Sequence, residues 1–177
     1  MRRTAWRGIS FLTAAVLWAG GSGRAAADIF AVQDLTVNSF MGGGSNLVYG
    51  WEFTTNATIT VTKLGWYDHG FDGLATTHQA GIFDTSTMQL LVSTSIGPGS
   101  AGPIEGPPVH VNFGFPDSGG FRYVDIPPTT LNAGASFVIV GTDPIGGMDT
   151  AAFFFPMTIN ILVTDPALTF VQGRNQP

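Results

Sequence analysis

The 177-residue chain contains no cysteine. Disulfides are therefore excluded, and with them a zinc–thiolate site and a thiol nucleophile. Charge is scarce too: 11% of residues are Asp, Glu, Lys or Arg, and the only glutamates are Glu52 and Glu105. A hydrolytic carboxylate pair would need aspartates, and nothing in the spacing sets two of them on facing strands. Gly-x-Ser-x-Gly and His-Glu-x-x-His are absent, and His69, His78 and His110 lack metal-ligand spacing. Gly97-Pro-Gly-Ser-Ala-Gly102 matches Gly-x-Gly-x-x-Gly, but no strand–helix unit surrounds it. No apolar run reaches the roughly 20 residues of a spanning helix.

What is present begins with an asymmetry. All 12 acidic residues follow Ala27, whereas four of the seven basic residues precede it. Arg2, Arg3 and Arg7 make a positive start, Ile9 to Ala19 is an apolar run, and Ala25-Ala26-Ala27 is a small-residue cleavage site. This pattern predicts a signal peptide over 1–27, helical and cleaved, and a protein secreted to the exterior or surface of a bacterium. Residues 28–177 are then expected to form one domain. They hold all 12 acids against Lys63, Arg122 and Arg174, a formal net charge of −9. Such a surface disfavours nucleic acid and anionic membranes. It suits cations, neutral glycans or protein partners, and equally suits simple solubility.

Hydrophobic periodicity is two. Leu47, Tyr49, Trp51 and Phe53 alternate with Val48, Gly50 and Glu52; Met88, Leu90, Val92, Thr94 and Ile96 alternate with Gln89, Ser93 and Ser95. Val109 to Phe115, Phe121 to Ile126, Ser136 to Thr142, Met157 to Val163 and Leu168 to Gln172 also read as strands. One strand changes phase: Ile59 and Val61 share a parity that Leu64 and Trp66 leave, so a bulge is expected near Thr62-Lys63. The 24 glycines and 11 prolines serve turns. Gly97 to Pro108 reads as a long loop, and Met41 to Asn46 as a second, flexible one. The fold class is all-β, a two-sheet antiparallel β-sandwich or jelly roll.

Two segments carry a resemblance. The first is Ile59-Thr-Val-Thr-Lys-Leu-Gly-Trp-Tyr-Asp68 with Gly73-Leu74, His78 and Gly81-Ile82-Phe83-Asp84. The second is Phe121-Arg122-Tyr123-Val124 with Leu131-Asn-Ala-Gly-Ala-Ser-Phe-Val-Ile139. Over about residues 46–140 the chain resembles a bacterial extracellular β-sandwich domain of unknown function, often found in PEP-CTERM-sorted and carbohydrate-associated surface proteins. The resemblance implies a secreted surface or matrix module without an assigned activity.

Three groups of residues are candidates for contact. Asp68 and Asp72, around Gly70, have the residue types of a calcium site; the competing reading is a turn in which the aspartates bind backbone amides. Asp143 and Asp149 pose the same choice more weakly. Trp51, Trp66 and Tyr67 could stack on sugar rings, and because strand neighbours point to opposite faces, one of Trp66 and Tyr67 is expected at the surface. Phe153, Phe154 and Phe155 cannot all face inward from one strand, which suggests a patch for a partner. His78 is expected to be a hydrogen-bonded structural residue.

These residues favour a non-catalytic binding or adhesion module for a polysaccharide or matrix polymer, with calcium as the candidate ion. Self-association into an extracellular sheath, filament or shell is the alternative, and a hydrolase the third.

Overall fold

The computed structural model describes residues 13–18, 29–37, 40–41, 47–100, 102–111, 119–144, 149, 151–152 and 159–176. Fourteen strands follow in chain order. They are β1 (Thr13–Trp18), β2 (Ile29–Phe30), β3 (Val32–Val37), β4 (Phe40–Met41), β5 (Leu47–Thr55), β6 (Ile59–His69) and β7 (His78–Asp84), then β8 (Leu90–Ile96), β9 (Ile104–Val111), β10 (Gly119–Leu131), β11 (Ser136–Asp143), β12 (Ala151–Ala152), β13 (Ile159–Thr164) and β14 (Leu168–Gln176). No helix occurs among the described residues. A seven-stranded sheet runs β13-β3-β9-β10-β6-β1-β2 and a five-stranded sheet runs β14-β5-β11-β7-β8, with β12-β4 a separate pair. All pairings are antiparallel except β3 with β9. The two large sheets pack face to face, so the chain is an all-β sandwich.

The alternating pattern does the burying. In β5, Tyr49, Trp51 and Phe53 are 1–3% exposed while Val48, Glu52 and Thr54 between them are half-buried. The rings of this strand meet those of its neighbours: Phe53 lies 5.8 Å from Phe137 of β11, and Trp51 lies 6.1 Å from Phe170 of β14. Burying an aromatic or large aliphatic side chain contributes about 1.5–3 kcal/mol each, and such residues from both sheets form one continuous core.

β6 changes phase where its parity changes. Val61 and Leu64 are both fully buried, with Thr62 and Lys63 half-buried between them. Against β10 the register jumps from Lys63↔Asp125 to Val61↔Thr129. Ile126, Pro127 and Pro128 thus oppose the single residue Thr62, and prolines, which cannot donate to a ladder, fall where no ladder bond is needed. The irregularity expected at Thr62-Lys63 is present, with its larger half on the partner strand.

Four expectations change or fall outside the description. Thr13–Trp18 is extended rather than helical and pairs with β6 from Thr13↔Trp66 to Trp18↔Thr60; an apolar run beside an open strand edge satisfies its backbone by pairing. The rest of the leader lies outside the described residues. Strand structure begins at Ile104 inside the Gly/Pro-rich stretch, because Gly106, at φ 84°, with Pro107 and Pro108 fills a break in register against β10. Residues 42–46 and Phe153, Phe154 and Phe155 lie outside the described residues.

Candidate functional site

The polar chemistry collects at one end of the sandwich, where the β6–β7 loop (residues 70–77) meets the β8–β9 loop (residues 97–103). It starts from two residues of one strand parity. Trp66 and Asp68 of β6 share a face, and β10 sets Arg122 opposite Trp66 and Gly120 opposite Asp68. Arg122 and Asp68 are therefore diagonal neighbours. The Arg122 Nε and Nη2 each reach the Asp68 Oδ2 at 2.7 Å. Both residues are buried, at 5% and 1% exposure. An ion pair this deep stands only when its remaining groups are satisfied. Arg122 Nη1 donates to the Gly102 carbonyl at 2.8 Å, and the Gly73 amide donates to both Asp68 oxygens at 3.2 Å. One buried pair thereby ties down both loops.

A second pair holds the same loop from its other side. His78, at the start of β7, is completely buried. Its Nδ1 lies 2.9 Å from the Thr142 carbonyl of β11, and its Nε2 lies 2.8 Å from Asp149 Oδ2. Asp149 also accepts from the amides of Ala75 at 2.7 Å and Thr76 at 3.1 Å. Burial, the largest single influence, pushes its carboxyl up. The hydrogen bond from His78, the two amides and the charge attraction of the imidazole outweigh burial and leave the carboxyl below its ordinary value. The ring thus lies between two acceptors, a backbone carbonyl and a carboxylate.

Together these bonds satisfy four consecutive loop amides. Gly73 donates to Asp68, Leu74 to the Gly99 carbonyl at 3.1 Å, and Ala75 and Thr76 to Asp149. Gly99 returns a bond to the Leu74 carbonyl at 2.6 Å. The base of the loop is held as firmly as a strand. Its tip runs at positive φ: Gly70, Phe71 and Gly73 have φ of 75°, 62° and 99°. For Phe71 the left-handed conformation costs about 1–2 kcal/mol, and such strain collects at functional loops. Phe71 is also 43% exposed, and Ile104, 37% exposed, lies beside it. Both cover Gly120, where an added Cβ would sit 2.6 Å from an Ile104 methyl and 3.0 Å from the Phe71 ring. Only a glycine lets them lie flat there.

Several expected site residues are placed differently. Trp51, Trp66 and Tyr67 are each 3% exposed and present no surface for sugar stacking. Trp51 belongs to the core of the five-stranded sheet. Trp66 faces between the sheets. Tyr67 faces the opposite way and is still buried: its ring packs on Phe121, Phe121 on Tyr123, and Tyr123 on Phe30 at the edge strand β2. Burial, with the charge of Asp68 second, drives the Tyr67 hydroxyl far above its ordinary value. Asp68 and Asp72 do not form a cation site. The Asp68 carboxylate is turned inward onto a guanidinium, whose charge repels a metal ion, while Asp72 is exposed. Among the described residues no group of three or more His, Cys, Asp or Glu could hold a metal. Asp149 binds backbone amides, but those of Ala75 and Thr76 in a distant loop rather than those of its own turn, and His78 is hydrogen-bonded through both ring nitrogens.

Sequence reasoning missed Arg122 and Phe71. Arg122 had a legible signal: a charge inside the apolar strand Phe121-Arg122-Tyr123-Val124 requires a buried acidic partner. Phe71 had none, because its exposure follows from the backbone of the loop. No family model, no curated protein and no solved structure matches the chain.

Proposed function

We propose that the protein is a secreted, non-catalytic binding module of the bacterial exterior that holds a neutral polysaccharide against the Phe71–Ile104 platform. The carrying observation is Phe71 itself: a strained, 43% exposed aromatic ring on a loop whose base is fully hydrogen-bonded. An aromatic face bordered by a few polar groups is the usual lining of a small carbohydrate-sized contact, and His69 and Asp72 flank the ring in sequence. Both buried pairs are consumed in holding the loops, so they serve as scaffold. The excess of acidic residues favours a neutral polymer over an anionic one.

Export is part of this reading. The charge asymmetry around Ala27 supports cleavage there, with Asp28 as the new amino terminus, and sequencing of the exported protein checks it. The resemblance over residues 46–140 to surface-protein sandwich domains points the same way. Binding is tested by retention on a panel of insoluble polysaccharides. Retention of the wild type, lost in Phe71→Ala, supports the proposal; equal retention of the two, or none on any polymer, refutes it. Self-assembly into a sheath, filament or shell is the second reading, favoured by one observation, an uncharged strand edge that no described strand covers.

A further inference from the structure

That edge belongs to β8. Five-stranded and seven-stranded sheets leave four end strands: β13, β2, β14 and β8. Exposed strand edges template pairing with other chains, and proteins guard them with short length, charge, proline or bulges. β2 is two residues long, and the β6 edge that cleavage of Thr13–Trp18 opens carries Lys63, Asp68 and a register shift. β13 is broken by register shifts at both ends of its pairing with β3. β14 carries Arg174 and a register shift between Phe170 and Gln172. β8 has one register shift, between Leu90 and Val92, but no charge, proline or bulge from Val92 to Ile96. Val92 to Ile96 pair with β7 in unbroken register, from Val92↔Ile82 to Ile96↔His78. The strand Leu-Leu-Val-Ser-Thr-Ser-Ile holds no charge and no proline. No described strand pairs with its outer edge.

The surroundings of this edge argue for its occupant. No charged residue occurs between Asp84 and Glu105, in a chain with 12 acidic residues. Two copies of an acidic chain repel each other over most of their surfaces, and the β8 edge is a place where they can meet without opposing like charges. The edge also carries unburied apolar groups: Leu90 is 45% exposed, and Met88, at the hairpin tip, is 74% exposed. An antiparallel two-fold pairing is self-complementary here. Centred on Ser93, it sets Ser93 against its own copy and Val92 against Thr94, within the stretch of unbroken register. The interface closes on itself.

We infer that two copies of this chain pair through β8, edge to edge and antiparallel about Ser93, joining their five-stranded sheets into one continuous sheet of ten strands. This pairing does not depend on the polysaccharide reading, because the Phe71 platform plays no part in it. It is a closed dimer and differs from an open filament in giving a single larger species.

The test uses the protein as an expressing bacterium processes it, in sedimentation velocity runs from micromolar to near-millimolar concentration. A monomer–dimer equilibrium is expected, with amide exchange of Val92 to Ile96 slowing as dimer forms. Ser93→Lys places two like charges face to face at an exposed position and should weaken the dimer at least tenfold; Ser93→Thr, neutral and strand-favouring, should preserve it. Circular dichroism checks that both variants keep the strand spectrum. A monomer at every concentration overturns the inference. So does association that Ser93→Lys leaves unchanged, which would assign the contact to another edge, such as that of β6 once Thr13–Trp18 is removed. Open-ended polymers, or capture of a different protein in place of a copy, overturn it as well.

Discussion

The indole of Trp66 and the imidazole of His78 lie stacked, with ring centroids 4.2 Å apart and planes 13° from parallel. They come from different sheets, β6 and β7, so this contact pins the sandwich together at the end where the loops meet. The Trp66 Nε1 is buried and has no hydrogen-bond partner among the described residues. Trp66→Phe, which keeps a ring and deletes that unsatisfied N–H, should cost no more than about 1 kcal/mol. Trp66→Ala should cost about 3–5 kcal/mol. Urea unfolding of the two variants separates them.

Acid should loosen the same end of the molecule. The Asp149 carboxyl is held below its ordinary value in the folded state. A depressed carboxyl stabilises the fold at pH above the unfolded value, about 3.9, and that contribution is lost as pH falls through the folded value. Stability is therefore expected to decline below about pH 4, and Asp149→Asn should be less stable at neutral pH with a shallower acid decline. Melting temperatures from pH 2 to 7 check both.

The buried pair of Asp68 and Arg122 should behave as a unit. Removing either partner strands a charge, at about 3–5 kcal/mol. Asp68→Leu with Arg122→Met should cost clearly less than the two single changes added together. In the double variant the loops lose their tie at Gly73 and Gly102, so faster amide exchange there should accompany whatever stability is recovered.

Much of this architecture was legible in the sequence, and the reasons are local. Alternation along Leu47 to Phe53 needs only period two to be read. The parity change between Val61 and Leu64 announces a bulge. Surface exposure was less accessible. Parity says that Trp66 and Tyr67 face opposite ways, which they do; it cannot say that Phe121, Tyr123 and Phe30 line the side that Tyr67 faces. The role of Asp68 was hidden because its partner lies 54 residues away. A nearby Asp72 made a cation site plausible, whereas the fold satisfied Asp68 with a guanidinium. His78 was readable as structural because an isolated histidine before an apolar strand has no ligand spacing.

Phe71 sets stability against contact. At φ 62° a glycine is free of the steric cost that any side chain bears there. Phe71→Gly should be about 1 kcal/mol more stable than Phe71→Ala, and both should lose polymer retention. Chemical denaturation gives the first comparison. Gly120→Ala should reduce retention without removing the ring, since its Cβ would displace both Ile104 and Phe71.

The central claim is that a rigidly held loop offers Phe71 and Ile104 to a polysaccharide. A backbone-amide NMR titration with soluble neutral oligosaccharides tests it most directly. Shift changes concentrated at residues 69–74, 104–105 and 119–121, with the amides of Gly73 to Thr76 staying protected from exchange throughout, are predicted. Changes confined to other parts of the sandwich, or a saturating oligosaccharide panel that moves no amide in these segments, would contradict it.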